Sequence, residues 1–219
     1  MSRAEVFDRF WHRYDEWYQR NRVIAELELS VVKQLVKYKP VLEVGVGTGF
    51  FASRLGFEYG IDPSIKMLRV ARSRGVEVVQ GVGEYLPFRD NSFKTVAFIV
   101  TLCFVDDIVK VLKEAYRVLD SCGEVIACIV PKESPWGKYY VKKALEGHPF
   151  YSNARFLTVE ELIKYVKDQG FKIVESIGIL SFKPTEEPIW EEPQRNISGK
   201  GFVCLKAVKE VKNNLNFTL

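Results

Sequence analysis

The sequence predicts an α/β fold, a mainly parallel sheet with helices on both faces, from three observations. Short apolar runs bounded by Gly, Pro or Asp recur along the chain, and helical patterns separate most of them. The first run, Val41 to Val44, opens directly into "GVGTG", with Gly45, Gly47 and Gly49 at every second position. A strand that feeds such a turn and then a helix is the start of a βαβ unit.

Taken in order, residues 1–38 read as helix, because Phe7, Phe10, Trp11, Tyr14, Trp17 and Tyr18 fall on one face at helical period. The period then shortens. Strands are expected at 41–44, 57–61, 76–80, 95–100, 124–130, 171–180 and 201–208, with helices over 64–74 and 106–119 among them. A further helix starts at Thr158, where "TVEE" has capping-box spacing with Glu161 reaching back, and Gly170 stops it. Residues 181–200 hold Pro184, Pro188 and Pro193 and show no helical period, so the last two strands are expected to pair as an antiparallel hairpin at one edge. The tail "KNNLNFTL" reads as frayed.

With 47% hydrophobic and 27% charged residues the chain is of globular type. No apolar run approaches the roughly 18 residues that span a bilayer, and the N-terminus lacks a secretory pattern, so a cytoplasmic location without membrane partners is expected. A net charge of +4, with lysines dispersed among glutamates, argues against dedicated nucleic-acid binding. Cys103, Cys122, Cys128 and Cys204 form no C-x-x-C pair and have no nearby histidines. They are expected to be reduced packing residues, with neither disulfide framework nor metal site.

The glycine turn narrows the ligand. Glu43-x-Gly45-x-Gly47-x-Gly49 is not the G-x-G-x-x-G of dinucleotide enzymes, and G-x-x-x-x-G-K-[ST] is absent. A carboxylate at Glu43 would repel phosphates and attract an ammonium or sulfonium group. Asp62, at the end of the second strand, can accept hydrogen bonds from ribose hydroxyls. Its alternative is to cap the helix that begins at Pro63 and Ser64.

Four segments, "LEVGVGTG" (42–49), "GIDPSIKMLRVAR" (60–72), "GVGEYLPFRDNSF" (81–93) and "LKEAYRVLDSCGEV" (112–125), resemble the class I S-adenosylmethionine-dependent methyltransferases, in particular the small-molecule group with "LPF" and "RVL-G" signatures. The resemblance implies a Rossmann-like seven-stranded sheet in the order 3-2-1-4-5-7-6, with the last strand antiparallel. It implies one domain over 1–219, with a helical cap (1–38), a cofactor-binding half (39–130) and a substrate-side insert with the last two strands (131–219). It places Gly45, Gly47 and Gly49 against the methionine part of S-adenosylmethionine, or of S-adenosylhomocysteine as product, with Glu43 facing the amino group. Asp62 would hold the ribose, Pro63 and Met67 would lie near the adenine, and Gly83 and Glu84 would present backbone groups to it. Met67 reads equally as core. Val82 stands where the family usually has an aspartate for the adenine amine, and Lys94 where an aspartate is common.

Transfer from a sulfonium is an in-line displacement that needs orientation and desolvation, so neither metal nor covalent nucleophile is demanded. The acceptor is read as a small molecule with an N, O or C nucleophile. Tyr14, His12 and His148 are the candidate catalytic residues, with a surface role as the alternative for His12. Residues 1–38, 131–156 and 183–200 with Trp190 are expected to roof the site, the first as a lid. Its aromatic stripe reads equally as the buried face of a docked helix. A catalytically silent S-adenosylmethionine-binding module is the competing function, and an NAD-dependent oxidoreductase is disfavoured by the glycine spacing. Oligomeric state is left open.

Overall fold

The computed structural model describes residues 3–210, so the tail from Lys212 lies outside them. Helices α1 (Arg3–Arg20) and α2 (Arg22–Leu35) precede an alternating series: β1 (Val41–Val44), α3 (Phe50–Leu55), β2 (Tyr59–Asp62), α4 (Ile65–Ser73), β3 (Glu77–Gln80), β4 (Phe93–Ile99), α5 (Ile108–Val118) and β5 (Leu119–Ile129). Helix α6 (Pro135–Leu145), a 3₁₀ turn at Tyr151–Asn153, α7 (Val159–Asp168), β6 (Phe171–Ile179) and β7 (Phe202–Lys209) complete the order. The seven strands form one sheet in the order β3-β2-β1-β4-β5-β7-β6, as expected. Strand β7 runs antiparallel to both neighbours, and the β1, β2, β3, β4 and β5 pairings are parallel.

Each element follows from its residues. Val41–Val44 is buried throughout, as a central parallel strand must be. Helix α5 buries Ile108, Val111, Leu112, Ala115 and Val118, one stripe at helical period, after Asp107 caps it by accepting from the Lys110 N–H. Ser64 and Ser134 cap α4 and α6 in the same way, and the Thr158–Glu161 capping box forms as expected at α7. Two apolar layers result, one under α2, α3 and α4, the other under α5 and α7. Each large side chain fully buried there, such as Leu35, Phe98 or Leu112, contributes about 1.5–3 kcal/mol.

The helical cap is two helices rather than one. Asn21 separates them, and Phe10, at φ −112° and ψ 22°, puts a kink inside α1. The cysteine expectation also needs correction: Cys128 and Cys204 are joined by a disulfide. They lie 76 residues apart, and only the antiparallel register of β5 and β7 sets them directly opposite each other. Cys103 and Cys122 take part in no disulfide among the described residues. Lys94 is explained by its ion pair with Asp120 on the neighbouring strand.

Candidate functional site

The strand order reverses between β1 and β4, and there the carboxyl ends of β1, β2, β4 and β5 open into a cavity of about 720 Å³. A crevice at this point is where open α/β sheets bind ligands. One half of its wall is Val44, Gly45, Gly47, Ile61, Asp62, Pro63, Met67, Val82, Gly83 and Glu84. The other half comes from α1, α2 and the α6 region and is largely aromatic.

Asp62 organises the first half. Burial leaves it 8% exposed, and its two oxygens accept from the Gly47 N–H at 3.0 Å and the Ser64 N–H at 2.9 Å. One carboxylate thus ties the glycine turn to the start of α4. The helix cap itself is Ser64, whose side chain accepts from the Met67 N–H, so Asp62 is not consumed by capping. Two of its lone-pair directions remain for donors from the cavity. Burial pushes its carboxyl up to about 6.

The glycines have distinct reasons. At Gly47 (φ +53°) a β-carbon would come within 3.3 Å of the Tyr14 ring, and at Gly49 (φ +74°) within 3.0 Å of the Ala71 backbone. At Gly45 it would overlap the Thr101 side chain. All three therefore make room for the protein itself, most tightly at Gly45 and Gly49. Gly49, Glu43 and His12 do not belong to the cavity wall. Glu43 is buried behind it with Oε2 unpartnered among the described residues, and burial holds its carboxyl well above the ordinary range. His12 is exposed, against Trp11. The 183–200 connection with Trp190, expected at the roof, also lies off the wall. It leaves the outermost strand β6 and returns along it, Gly178 pairing with Gln194, too far from the sheet centre to cover the crevice.

Glu84 contributes more than backbone. Its Oε1 accepts from the Asp106 and Asp107 N–H groups at 2.8 and 3.3 Å, which fixes the "GVGE" segment to the start of α5. Val82 is 40% exposed on the wall and offers no acceptor.

Helix α1 closes the top. Asp15 takes both Arg74 guanidinium nitrogens at 2.7 and 2.8 Å, while Arg74 also donates to the Thr48 carbonyl. Asp8 accepts from the Ser64 hydroxyl at 2.8 Å and the Lys66 N–H at 3.0 Å. Tyr14 and Tyr18 share a 2.8 Å hydroxyl hydrogen bond, and Tyr18 stacks on Phe50 with centroids 3.8 Å apart. Burial drives both phenols upward, so both keep their protons at neutral pH. His148 lines the far side, stacked on Tyr151, with Nδ1 buried and unpartnered among the described residues. Burial, Arg13 and Lys143 hold its imidazole below the ordinary value.

Sequence reading passed over wall residues with chemistry of their own, Tyr140, Tyr151 and above all Glu28. Glu28 of α2 is 7% exposed and lines the cavity, and burial alone pushes its carboxyl up to about 8. The only sequence signal is a carboxylate on the apolar face of "VIAELELSVV", between Leu27 and Leu29.

Comparison with known proteins agrees with this architecture. The family described as "Methyltransferase domain" matches residues 42–127. An uncharacterized protein of Methanocaldococcus jannaschii is 34% identical, covering 93% of this chain and 98% of its own length. A demethylmenaquinone methyltransferase of Listeria welshimeri is 30% identical over 80% of this chain and 89% of its own. The crystal structure of a SAM-dependent methyltransferase of Thermotoga maritima, described as a possible histamine N-methyltransferase, superposes with a TM-score of 0.91 at 37% identity, covering 95% of this chain and all of that one. Likeness at this level along nearly the whole length, on a sheet with this strand order and a glycine turn at its switch point, makes the chain a member of the S-adenosylmethionine-dependent methyltransferase family.

Proposed function

We propose that this enzyme transfers the methyl group of S-adenosylmethionine to a small-molecule nucleophile held in the aromatic half of the cavity. The observation that carries the reading is the continuity of that cavity: the glycine turn and Asp62 form one end, and α1 and the α6 region form the other.

The residues present fit the cofactor. Gly45 and Gly47 bring backbone to the cavity wall for its methionine part, with Gly49 shaping the turn from behind. The spare lone pairs of Asp62 suit two ribose hydroxyls. Ile61, Pro63, Met67 and Val82 give a mainly apolar slot for the adenine, beside the backbone of Gly83 and Glu84. Glu43 lies outside the wall, so its attraction for the amino group acts through the turn or a bridging water. When bound, the cofactor supplies an electrophilic methyl group that carries its own leaving group.

The chain's part is orientation and exclusion of water. Tyr14 is positioned as a hydrogen-bond donor rather than a base, since its phenol stays protonated. His148, neutral at pH 7 and facing the cavity, is the group able to accept an acceptor's proton. The silent-module alternative gains nothing from Lys94, whose ion pair with Asp120 accounts for it. The acceptor atom, N, O or C, is left to experiment, and the cytoplasmic location read from the sequence belongs to the same proposal.

Calorimetry tests the reading. S-adenosylhomocysteine is expected to bind and NAD to give no heat; the reverse would remove the assignment. Turnover of labelled S-adenosylmethionine with amines and phenols then separates an enzyme from a silent module.

The cover should respond to the ligand. Hydrogen exchange over residues 4–20 and in the Gly45–Gly49 turn is expected to slow when S-adenosylhomocysteine is added. Equal protection with and without ligand would make α1 permanent core rather than a lid.

A further inference from the structure

Three glutamates are buried among the described residues, and they differ in what meets them. Glu124, 1% exposed, is paired with the Lys206 ammonium at 2.6 Å and accepts from Thr95. Glu43 takes a backbone hydrogen bond from Ala52. Glu28 has neither ion pair nor hydrogen bond among the described residues, although it is as buried as Asp62. A carboxyl group left this way is unfavourable to the fold, and such groups are normally paired. Its position supplies the reason: it faces the cavity, among Tyr14, Tyr18, Tyr140 and Tyr151.

All four tyrosines keep their protons, because burial raises each phenol. The surroundings of Glu28 are therefore neutral phenol groups, and among the described residues no cation pairs with it. Several phenols and one carboxylate are a combination that recognises an organic ammonium: the carboxylate carries the opposite charge, and it and the phenol oxygens accept the N–H bonds.

We propose that Glu28 is the acceptor-side anchor of this cavity and that the methyl acceptor carries a protonated amine, which Glu28 binds inside the ring of tyrosines. The inference rests on the methyltransferase reading above and names its acceptor class. In that position an acceptor's carboxylate would oppose an ionised Glu28, and hydroxyls alone would give it hydrogen bonds but no opposite charge. An arriving ammonium returns Glu28 to its ionised form and gives the buried carboxylate the partner the fold withholds.

The test uses full-length protein preloaded with S-adenosylhomocysteine and calorimetry with three matched series. These are arylalkylamines (phenethylamine, tyramine, tryptamine), their alcohol counterparts and their carboxylate counterparts. At least one amine is expected to bind roughly 30-fold or more tightly than its alcohol and acid partners. In Glu28→Gln that amine should weaken by about the same factor while S-adenosylhomocysteine affinity stays unchanged. If every amine binds no better than its alcohol, or if Glu28→Gln leaves the preference intact, the anchor role is overturned and the methyltransferase reading stands. If Glu28→Gln weakens S-adenosylhomocysteine instead, Glu28 serves the cofactor's own ammonium and the proposal is likewise overturned. Failure of the unaltered protein to bind S-adenosylhomocysteine would remove the underlying reading, a different result. Should the variant not fold, the selectivity series on the unaltered protein decides.

Discussion

Replacing Asp62 with alanine is expected to weaken S-adenosylhomocysteine binding by about 100-fold or more and to lower the stability of the unliganded fold by roughly 3 kcal/mol. The two effects have one origin. The carboxylate accepts from the Gly47 and Ser64 N–H groups inside a site where it is 8% exposed, so its removal leaves two donors without a partner away from water. The glycine turn then loses its tie to α4, and any ribose hydroxyls lose their acceptor. Asp62→Asn keeps one acceptor oxygen and should fall between the two proteins in both measurements. Melting curves and calorimetry on the same samples check this. A normal melting temperature with lost affinity would mean that the backbone bonds contribute little; normal affinity with lost stability would mean that Asp62 is a fold residue alone.

The second large effect is on pH dependence. Glu28 has a carboxyl raised to about 8 from an ordinary 4.5, so between these values the folded protein holds a proton that the unfolded chain has released. Unfolding then sheds a proton, and rising pH favours the unfolded state. The stabilising difference is full below pH 4.5 and is lost as pH climbs through 8. Asp62 acts in the same direction but only between 3.8 and about 6. Glu43 adds a decline of the same sign. The tyrosines facing Glu28 stay protonated through this range. From pH 6.5 to 9 the unliganded protein is therefore expected to lose about 2–4 kcal/mol in denaturant unfolding. Glu28→Gln should remove at least half of that decline, making the variant the more stable protein at pH 9. An equally steep decline in the variant would show that Glu28 is hydrated and not the source.

Much of the fold was legible because its signals are local. The strand at Val41–Val44, the box at Thr158 and Glu161 and the stop at Gly170 each depend on neighbours within a few positions, and the strand order followed from family likeness once the glycine turn was recognised. What was hidden depends on distant partners. The Cys128–Cys204 bond exists only through the register of β5 on β7. Gly45 and Gly49 look ligand-driven in sequence, yet Thr101 and Ala71 occupy the space a side chain would need. Glu28 was unreadable for the same reason: a glutamate in an amphipathic helix is ordinarily solvated, and only the packing of α1 and α6 around it takes the water away. Trp190 failed in the opposite sense, while His12 took its surface alternative, since aromatic and titratable residues near an expected roof need not face inward.

The kink at Phe10 divides the cover into two panels with separate fastenings. The first two turns are held through Asp8 on Ser64 and Lys66 and through Phe7 on Phe104 and Phe150, and the later turns through Asp15 on Arg74 and Tyr18 on Phe50. A doorway of this kind does not have to swing as a whole. Releasing Asp8 and drawing Phe7 off Phe104 and Phe150 would let the short leading panel pivot at Phe10 while the longer one keeps Tyr14 over the glycine turn. The threshold for traffic is then one carboxylate's hydrogen bonds and the ring contacts of Phe7, a smaller barrier than the undocking of an eighteen-residue helix.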